Sequence, residues 1–296
     1  MRRLTATALL ALPTLAHAHA GPAEAASEPL VVALLVLAGA WYALGVTRLW
    51  RRAGPGRGAT ARQAASFAAG LAVLALALVS PLDAWAAASF TLHMIQHEAL
   101  MLVAAPLLVL GRPLGAFAWA LPARARRGLH ALTAAPAPRA AWTTLTAPVG
   151  ATVLQLAILF AWHAPPLFRH ALVHPWWHAL QHACFLFAAL AFWWAMRGAV
   201  GRARPAPVIM GQFVTMLGTG ALGALLTFAA TPWYLAADAA PPWFGSALED
   251  QQVGGLLMWV PGGTAYMAAA LAVMWRLLAR RDPRTPPRLT PSAVLR

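Results

Sequence analysis

One cysteine, Cys184, stands in the whole chain, and lysine is missing altogether, so that every basic residue except histidine is arginine. A single thiol excludes an internal disulfide and any Cys-x-x-Cys metal or redox motif. Charge is scarce too: charged residues make up 10% of the 296, against about 25% in a soluble domain. The His-Glu-x-x-His of zinc proteases is absent, because the order here is His-x-x-x-His-Glu. No serine or cysteine nucleophile stands beside a histidine base, so an enzyme is not indicated. What fills the chain instead is apolar, with 60% hydrophobic residues and a mean hydropathy of +0.63. That composition belongs to an integral membrane protein, and the length suits one bundle rather than a string of domains.

Apolar runs fall at roughly 29–49, 63–81, 87–111, 147–163, 176–197, 207–230 and 253–278. Most reach the ~20 residues that a spanning helix needs. They predict an all-α, polytopic membrane bundle of about seven transmembrane helices. Residues 1–20 have the layout of a secretory signal peptide: Arg2 and Arg3, an apolar stretch, then Ala-x-Ala around His17 and His19. The membrane domain is expected over 29–281. The tail 282–296, with Pro283, Pro286, Pro287 and Pro291, is expected to be a disordered cytoplasmic segment.

A formal charge of +14 could suit nucleic acid, but the arginines gather in alternate connections. Arg51, Arg52, Arg57 and Arg62 follow the first run, and Arg112, Arg124, Arg126, Arg127 and Arg139 the third. Arg197, Arg202 and Arg204 follow the fifth, and the tail holds Arg276, Arg280, Arg281, Arg284 and Arg288. The other connections hold only Arg169 with Asp83, Asp238, Glu249 and Asp250. The positive-inside rule then puts the mature N-terminus outside and the C-terminus in the cytoplasm, as for a bacterial inner-membrane protein, with no nucleic-acid partner needed. The connection 112–146 suits a short amphipathic helix on the inner surface. Pro106 and Pro261-Gly262-Gly263 are expected to kink their spans, and Gly211, Gly218, Gly220 and Gly223 give the sixth span a small-residue face.

Polar side chains inside a bilayer are costly and mark function. The third span carries His93, His97 and Met101 at intervals of four, which is one helix face. The fifth repeats the pattern as His174, His178 and His182, and both spans read His-x-x-Gln-His. His97 is expected about 15 Å inside its span and His182 about 9 Å inside, both from the outer side. His163 ends the fourth span, His170 and His174 lie in the next connection, and only His130 falls on the inner side.

Three roles compete for such a cluster. The histidines could simply hydrogen-bond to neighbours or water. They could hold a transition metal, since neutral imidazole suits copper, zinc, iron and nickel, and the thioethers of Met94, Met101 and Met258 suit Cu(I). Or His97 and His182 could be the axial ligands of a b-type haem, although histidines four apart cannot flank one haem plane, so each pair leaves a spare. Gln96 and Gln181 could orient the rings by hydrogen bonds, although both lie about 100° off their stripes, and Cys184 points away from His182. Glu98 is expected to be protonated, paired or facing a wet cavity. Asp250 opens the seventh span, either as a helix N-cap or as a metal or partner contact. The candidate metal set is therefore His93, His97, Met101, His163, His174, His178, His182 and Asp250, with copper as the expected ion and haem b as the alternative.

Four separated motifs carry a resemblance: HMIQHEALMLVAAPLLVLGRP (93–113), WHAPPLF (162–168), WWHALQHACF (176–185) and DQQVGGLLMWVPGG (250–263). Together they resemble the multi-span CtaG family of cytochrome c oxidase assembly factors, over about residues 30–281. The resemblance implies a protein of about seven spans that helps to mature a haem–copper oxidase by handling copper at the outer face. Its partners would be oxidase subunits, membrane lipid and other copper chaperones. Residue by residue it points to His93, His97, His163, His178, His182 and Asp250. A separate single-span copper donor that shares the name depends on a cysteine motif absent here. A metal-free scaffold that clamps oxidase helices through its glycine and tryptophan faces is the remaining reading.

Overall fold

The structure is a computed structural model that describes residues 24–201, 205–234 and 245–280. The expected signal peptide, the expected tail from residue 282, and Arg202, Arg204 and Asp238 lie outside the described residues. Among the described residues every regular element is a helix. In chain order these are α1 (Glu24–Ala53), α2 (Ala61–Leu78), α3 (Pro81–Ala88), α4 (Phe90–Glu98), α5 (Ala105–Leu110), α6 (Pro113–Ala120) and α7 (Ala123–Ala134). They continue as α8 (Pro136–Leu145), α9 (Pro148–Trp162), α10 (Pro165–Val173), α11 (Pro175–Gly201), α12 (Pro205–Thr227), α13 (Ala247–Leu257) and α14 (Gly263–Arg280). Proline opens seven of them, at the position where a missing N–H costs nothing and φ is already helical. Side chains cap others: Thr60 and Gln63 form a reciprocal capping box on α2, as do Ser246 and Glu249 on α13.

Six helical segments are long and apolar enough to cross a membrane: Pro29–Ala53, Ala61–Leu78, Phe90–Leu110, Pro175–Gly198, Pro205–Thr227 and Ala247–Ala279. The fourth expected span, 147–163, differs. α9 has only 15 residues, about 22 Å of helix against a hydrocarbon core of about 30 Å. It reaches spanning length only together with α8, from which it is bent by 71°. The cause is Pro148: the residue before a proline is pushed to extended backbone, and Ala147 sits at φ −73°, ψ 143°.

The expected kinks at Pro106 and Pro261 take another form. The helix widens into a π turn over Ala99–Ala104 just before Pro106, and over Met258–Gly262 around Pro261. Both segments remain single spans, Phe90–Leu110 and Ala247–Ala279. The glycine face of α12 is consumed inside the molecule. A Cβ on Gly223 would lie 2.7 Å from the Gly255 carbonyl oxygen, and one on Gly255 would lie 2.7 Å from the Gly223 carbonyl oxygen. The two backbones touch, as a small-residue interface allows.

Helix direction gives the bundle two unlike ends. At one end, the starts of α4 and α13 meet α10 and the segment after α12: Ser89 donates to Asp250 at 2.8 Å, and the Tyr234 hydroxyl to the His163 carbonyl at 2.8 Å. At the other, Tyr42 donates to the Gly111 carbonyl at 2.8 Å, and Arg48 to the Ala120 carbonyl. There Arg52 and Arg126 lie 5.6 and 4.1 Å from the Trp119 ring, and Arg197 lies 5.0 Å from that of Trp194. α7 and α8 bury no residue and cover this end, which is where the arginine-rich connection was expected to lie along a surface.

Candidate metal centre

α4 begins where Ser89 turns the chain, and its first turn is clamped from outside. Asp250 on α13 accepts from the Ser89 hydroxyl at 2.8 Å, from the Phe90 N–H at 2.5 Å and from the Thr91 N–H at 3.1 Å. Thr91 answers by donating its hydroxyl to the Asp250 carbonyl at 2.8 Å. A carboxylate thus takes up helix-start N–H groups that have no partner in their own helix. On the inward face of α4, His93 and His97 are 0% and 2% exposed. α11 supplies His178 and His182 one turn apart, from a start fixed by Pro175. Because α4 begins at Phe90 and not at residue 87, His97 sits about 10 Å into its helix, shallower than expected.

The four rings form a closed ring of neighbours. Centroids are 4.3 Å apart for His93–His97, 5.2 Å for His97–His182, 4.2 Å for His182–His178 and 5.0 Å for His178–His93. The His93–His182 diagonal is 6.1 Å. Ring nitrogens of His93, His178 and His182 converge to within 4.8 Å of one another. An ion bound at about 2.0–2.1 Å from imidazole nitrogen stands roughly 3 Å from each ring centroid. A four-coordinate shell then spaces the centroids about 5 Å apart. The His178–His93 and His97–His182 edges have that spacing, the two same-helix pairs are shorter, and His97 stands beside the converging nitrogens rather than among them.

The electrostatic state of these rings is the decisive feature. Both ring nitrogens of His97, and Nε2 of His163, His178 and His182, are buried with no hydrogen-bond partner, while His93 is within hydrogen-bonding reach of the Ala86 backbone and Gln181. A buried polar group left unpaired costs about 1–3 kcal/mol. Five such nitrogens would therefore cost an amount comparable to the ~5–15 kcal/mol net stability of a typical protein. Phe168 and Phe185 wall the group at 5.0 Å from His93 and 4.5 Å from His97. Hydrogen bonds to neighbours thus serve His93 and His163, whereas His97 has none among the described residues.

The other sequence-predicted residues divide. His163 caps α9 at the edge of the cluster, with its ring 6.2 Å from that of His97. Its Nδ1 lies 2.8 Å from the Leu159 carbonyl, which fixes Nδ1 as the protonated nitrogen and leaves Nε2 with its lone pair free. Tyr234 holds the His163 carbonyl, and burial pushes its phenol above the ordinary value, keeping it a donor. Met101 is buried, but a π turn separates it from His97, so the four-residue stripe does not continue unchanged, and its sulfur accepts from Gln155 Nε2 at 3.7 Å. His174 is exposed and pairs with His170, outside the converging group. Asp250 is not the N-cap of its own helix, which is Ser246, but the bracket on α4 described above, and its oxygens are committed there.

Gln96 does not orient a histidine either. It donates to the Ala77 carbonyl at 2.7 Å and to Asp83 Oδ1 at 2.6 Å, tying α4 to its neighbours. Gln181 does lie beside His93, fully buried and within hydrogen-bonding reach of its ring. Glu98 packs against Gly262, where a Cβ would be 3.1 Å from Oε2, and that oxygen is sealed without a partner. Cys184 packs at the edge of the apolar core. Sequence reasoning overlooked Tyr234, Phe168 and Phe185, whose signal is weak because apolar walls look like any other core.

Residues 40–280 match the family described as cytochrome c oxidase caa3 assembly factor. The chain belongs to this family. It is 28% identical over 275 residues to uncharacterized proteins of Mycobacterium bovis and Mycobacterium tuberculosis, and 25% identical over 280 residues to one of Mycobacterium leprae. Each match covers 87% of this chain, which spans about 40% of the length of the curated relatives it matches. No solved structure matches it. All the buried histidines of the cluster fall inside the stretch that defines the caa3 assembly factor family.

Proposed function

We propose that this chain serves maturation of a haem–copper cytochrome c oxidase by holding copper between His93, His97, His178 and His182, with His163 as a further donor at the edge. The observation that carries the reading is the convergence of ring nitrogens of His93, His178 and His182, with the buried, partnerless His97 ring beside them. Family membership supplies the context of oxidase assembly. Copper suits the donors, because imidazole is joined in the surrounding core by the thioethers of Met94, Met101 and Met258. A bound ion would satisfy the nitrogens, and the aromatic wall would keep water out of the ligand shell. With the arginine end inside, the cluster faces the outer side of the bacterial inner membrane, where an oxidase subunit or another copper chaperone could exchange metal with it.

The same spacing weighs against a b-type haem. Rings on opposite faces of a porphyrin stand coaxially, roughly 6 Å apart across the iron. His97 and His182 are 5.2 Å apart at 82°, with His93 and His178 filling the sides. The scaffold reading loses part of its support because the glycines of α12 already pack inside the molecule, against Thr152, Met196, Leu156, Trp259 and Gly255.

The test is elemental analysis and an absorption spectrum of detergent-purified protein, wild type beside His97→Ala/His182→Ala. Near-stoichiometric copper that is lost in the double variant is the expected result. A Soret band with a reducible α-band would replace copper with haem. Neither metal nor colour after copper reconstitution would sink the metal reading.

A further inference from the structure

A second pair of histidines stands at the mouth of the cluster. His170 lies in the last turn of α10 and His174 links α10 to α11, and both are exposed. Their ring centroids are 4.1 Å apart, close to the 4.3 and 4.2 Å spacings of the two pairs inside the cluster. The pair is held in place rather than floating. Trp177 meets His170 edge to face at 5.0 Å and itself packs on Trp162 at 6.3 Å. The His174 carbonyl accepts from the N–H groups of Trp177 and His178 at 2.9 and 3.0 Å, which locks the junction to α11. His178, the outermost member of the cluster on α11, follows one helical turn below, about 6 Å further in. It is only partly buried and its Nε2 has no partner.

We propose that His170 and His174 form a loading site that takes a copper ion from solvent or from a donor and hands it down to the buried cluster. This rests on the metal reading of that cluster. Two neutral imidazoles in a cis arrangement hold a copper ion loosely and release it readily, while four in a dry pocket hold it tightly, so the transfer runs downhill. The step is ligand exchange alone: one imidazole nitrogen after another replaces those of His170 and His174 on the ion. No electron moves, and neutral imidazoles lose no proton. An ion already held one turn away is delivered at high effective concentration, which raises the rate at which the deep site fills. The arrangement also accounts for an exposed pair of rings lying against the motif that opens α11, where nothing in the fold requires histidine.

Stopped-flow transfer of Cu(I) from a chromogenic chelator to the full chain in detergent tests this, with copper content measured at the end point. The wild type is expected to take up an extra, weakly held equivalent beyond the deep site. In His170→Ala/His174→Ala that equivalent disappears, and filling of the deep site slows by about tenfold or more, with its final occupancy unchanged. An unchanged filling rate overturns the proposal, whether or not the extra equivalent is lost. His97→Ala/His182→Ala separates the two ideas. If this variant loses the tightly held equivalent but keeps the weak one, both sites stand; if it takes up no copper at all while the wild type does, the cluster stands and the loading site falls. If the wild type takes up no copper, both fall together.

Discussion

Asp250 shows how one side chain can be mistaken for a ligand when its chemistry is mechanical. A carboxylate beside a histidine cluster looks like a donor in sequence, yet its two oxygens take up two helix-start N–H groups and a hydroxyl on α4. What it fixes is the position of the helix that carries His93 and His97. Replacing it with alanine strands buried donors, at about 1–3 kcal/mol for each. Asp250→Ala is therefore expected to lower the thermal midpoint markedly, with Asp250→Asn intermediate because one acceptor oxygen remains. Copper content of the folded fraction is expected to hold in both. Thermal unfolding followed by circular dichroism, with metal analysis of the same samples, checks this. Loss of copper from Asp250→Asn without loss of stability would instead make Asp250 a ligand. His163 teaches the complementary lesson, since its Leu159 hydrogen bond selects the tautomer that leaves a lone pair on Nε2.

Among elements, the helices were legible and their irregularities were not. Long apolar runs and alternating arginine-rich connections gave the number and extent of most spans, because hydropathy and proline act locally. The 71° bend between α8 and α9 was missed, since Pro148 could be read equally as the first residue of a straight span. The prolines at 106 and 261 announced a disturbance, but the choice of a π turn over a kink depends on what packs alongside. The histidine pairs were legible through their four-residue spacing. That they close into one ring of neighbours depends on how α4 and α11 face each other, which no local pattern states. The glycines of α12 divide in the same way. At Gly218 a Cβ would meet the flexible end of Leu156, whereas at Gly223 it would meet the backbone of Gly255 and Trp259. Gly218→Ala is expected to cost under about 1.5 kcal/mol after Leu156 shifts, whereas Gly223→Val forces two backbones apart and costs at least about 3 kcal/mol. The midpoint of denaturant-induced unfolding in detergent measures both. Equal effects at the two positions would mean that α12 and α13 are not in backbone contact.

Taken as a whole, the molecule is polarised, with partnerless histidine nitrogens toward one end and arginines stacked on tryptophan at the other. Under the positive-inside rule the second feature predicts the membrane orientation, and that orientation would decide the use of the first. Arginine-rich connections stay in the cytoplasm because moving them across the bilayer is unfavourable against the membrane potential. The segment after α12, which packs over the cluster through Tyr234, is then expected outside. The lone cysteine makes this measurable. In a Cys184→Ala background, Pro55→Cys reports on the connection between α1 and α2, and Thr231→Cys on the segment after α12, both at exposed positions. A membrane-impermeant maleimide applied to spheroplasts is expected to label Thr231→Cys directly and Pro55→Cys only after permeabilisation. The reverse pattern would put the histidine cluster on the cytoplasmic side. It would then draw on the cytoplasmic copper pool, and delivery to an outward-facing oxidase centre would need a path through the arginine end. Among the described residues that half of the bundle shows no second converging group of ligands.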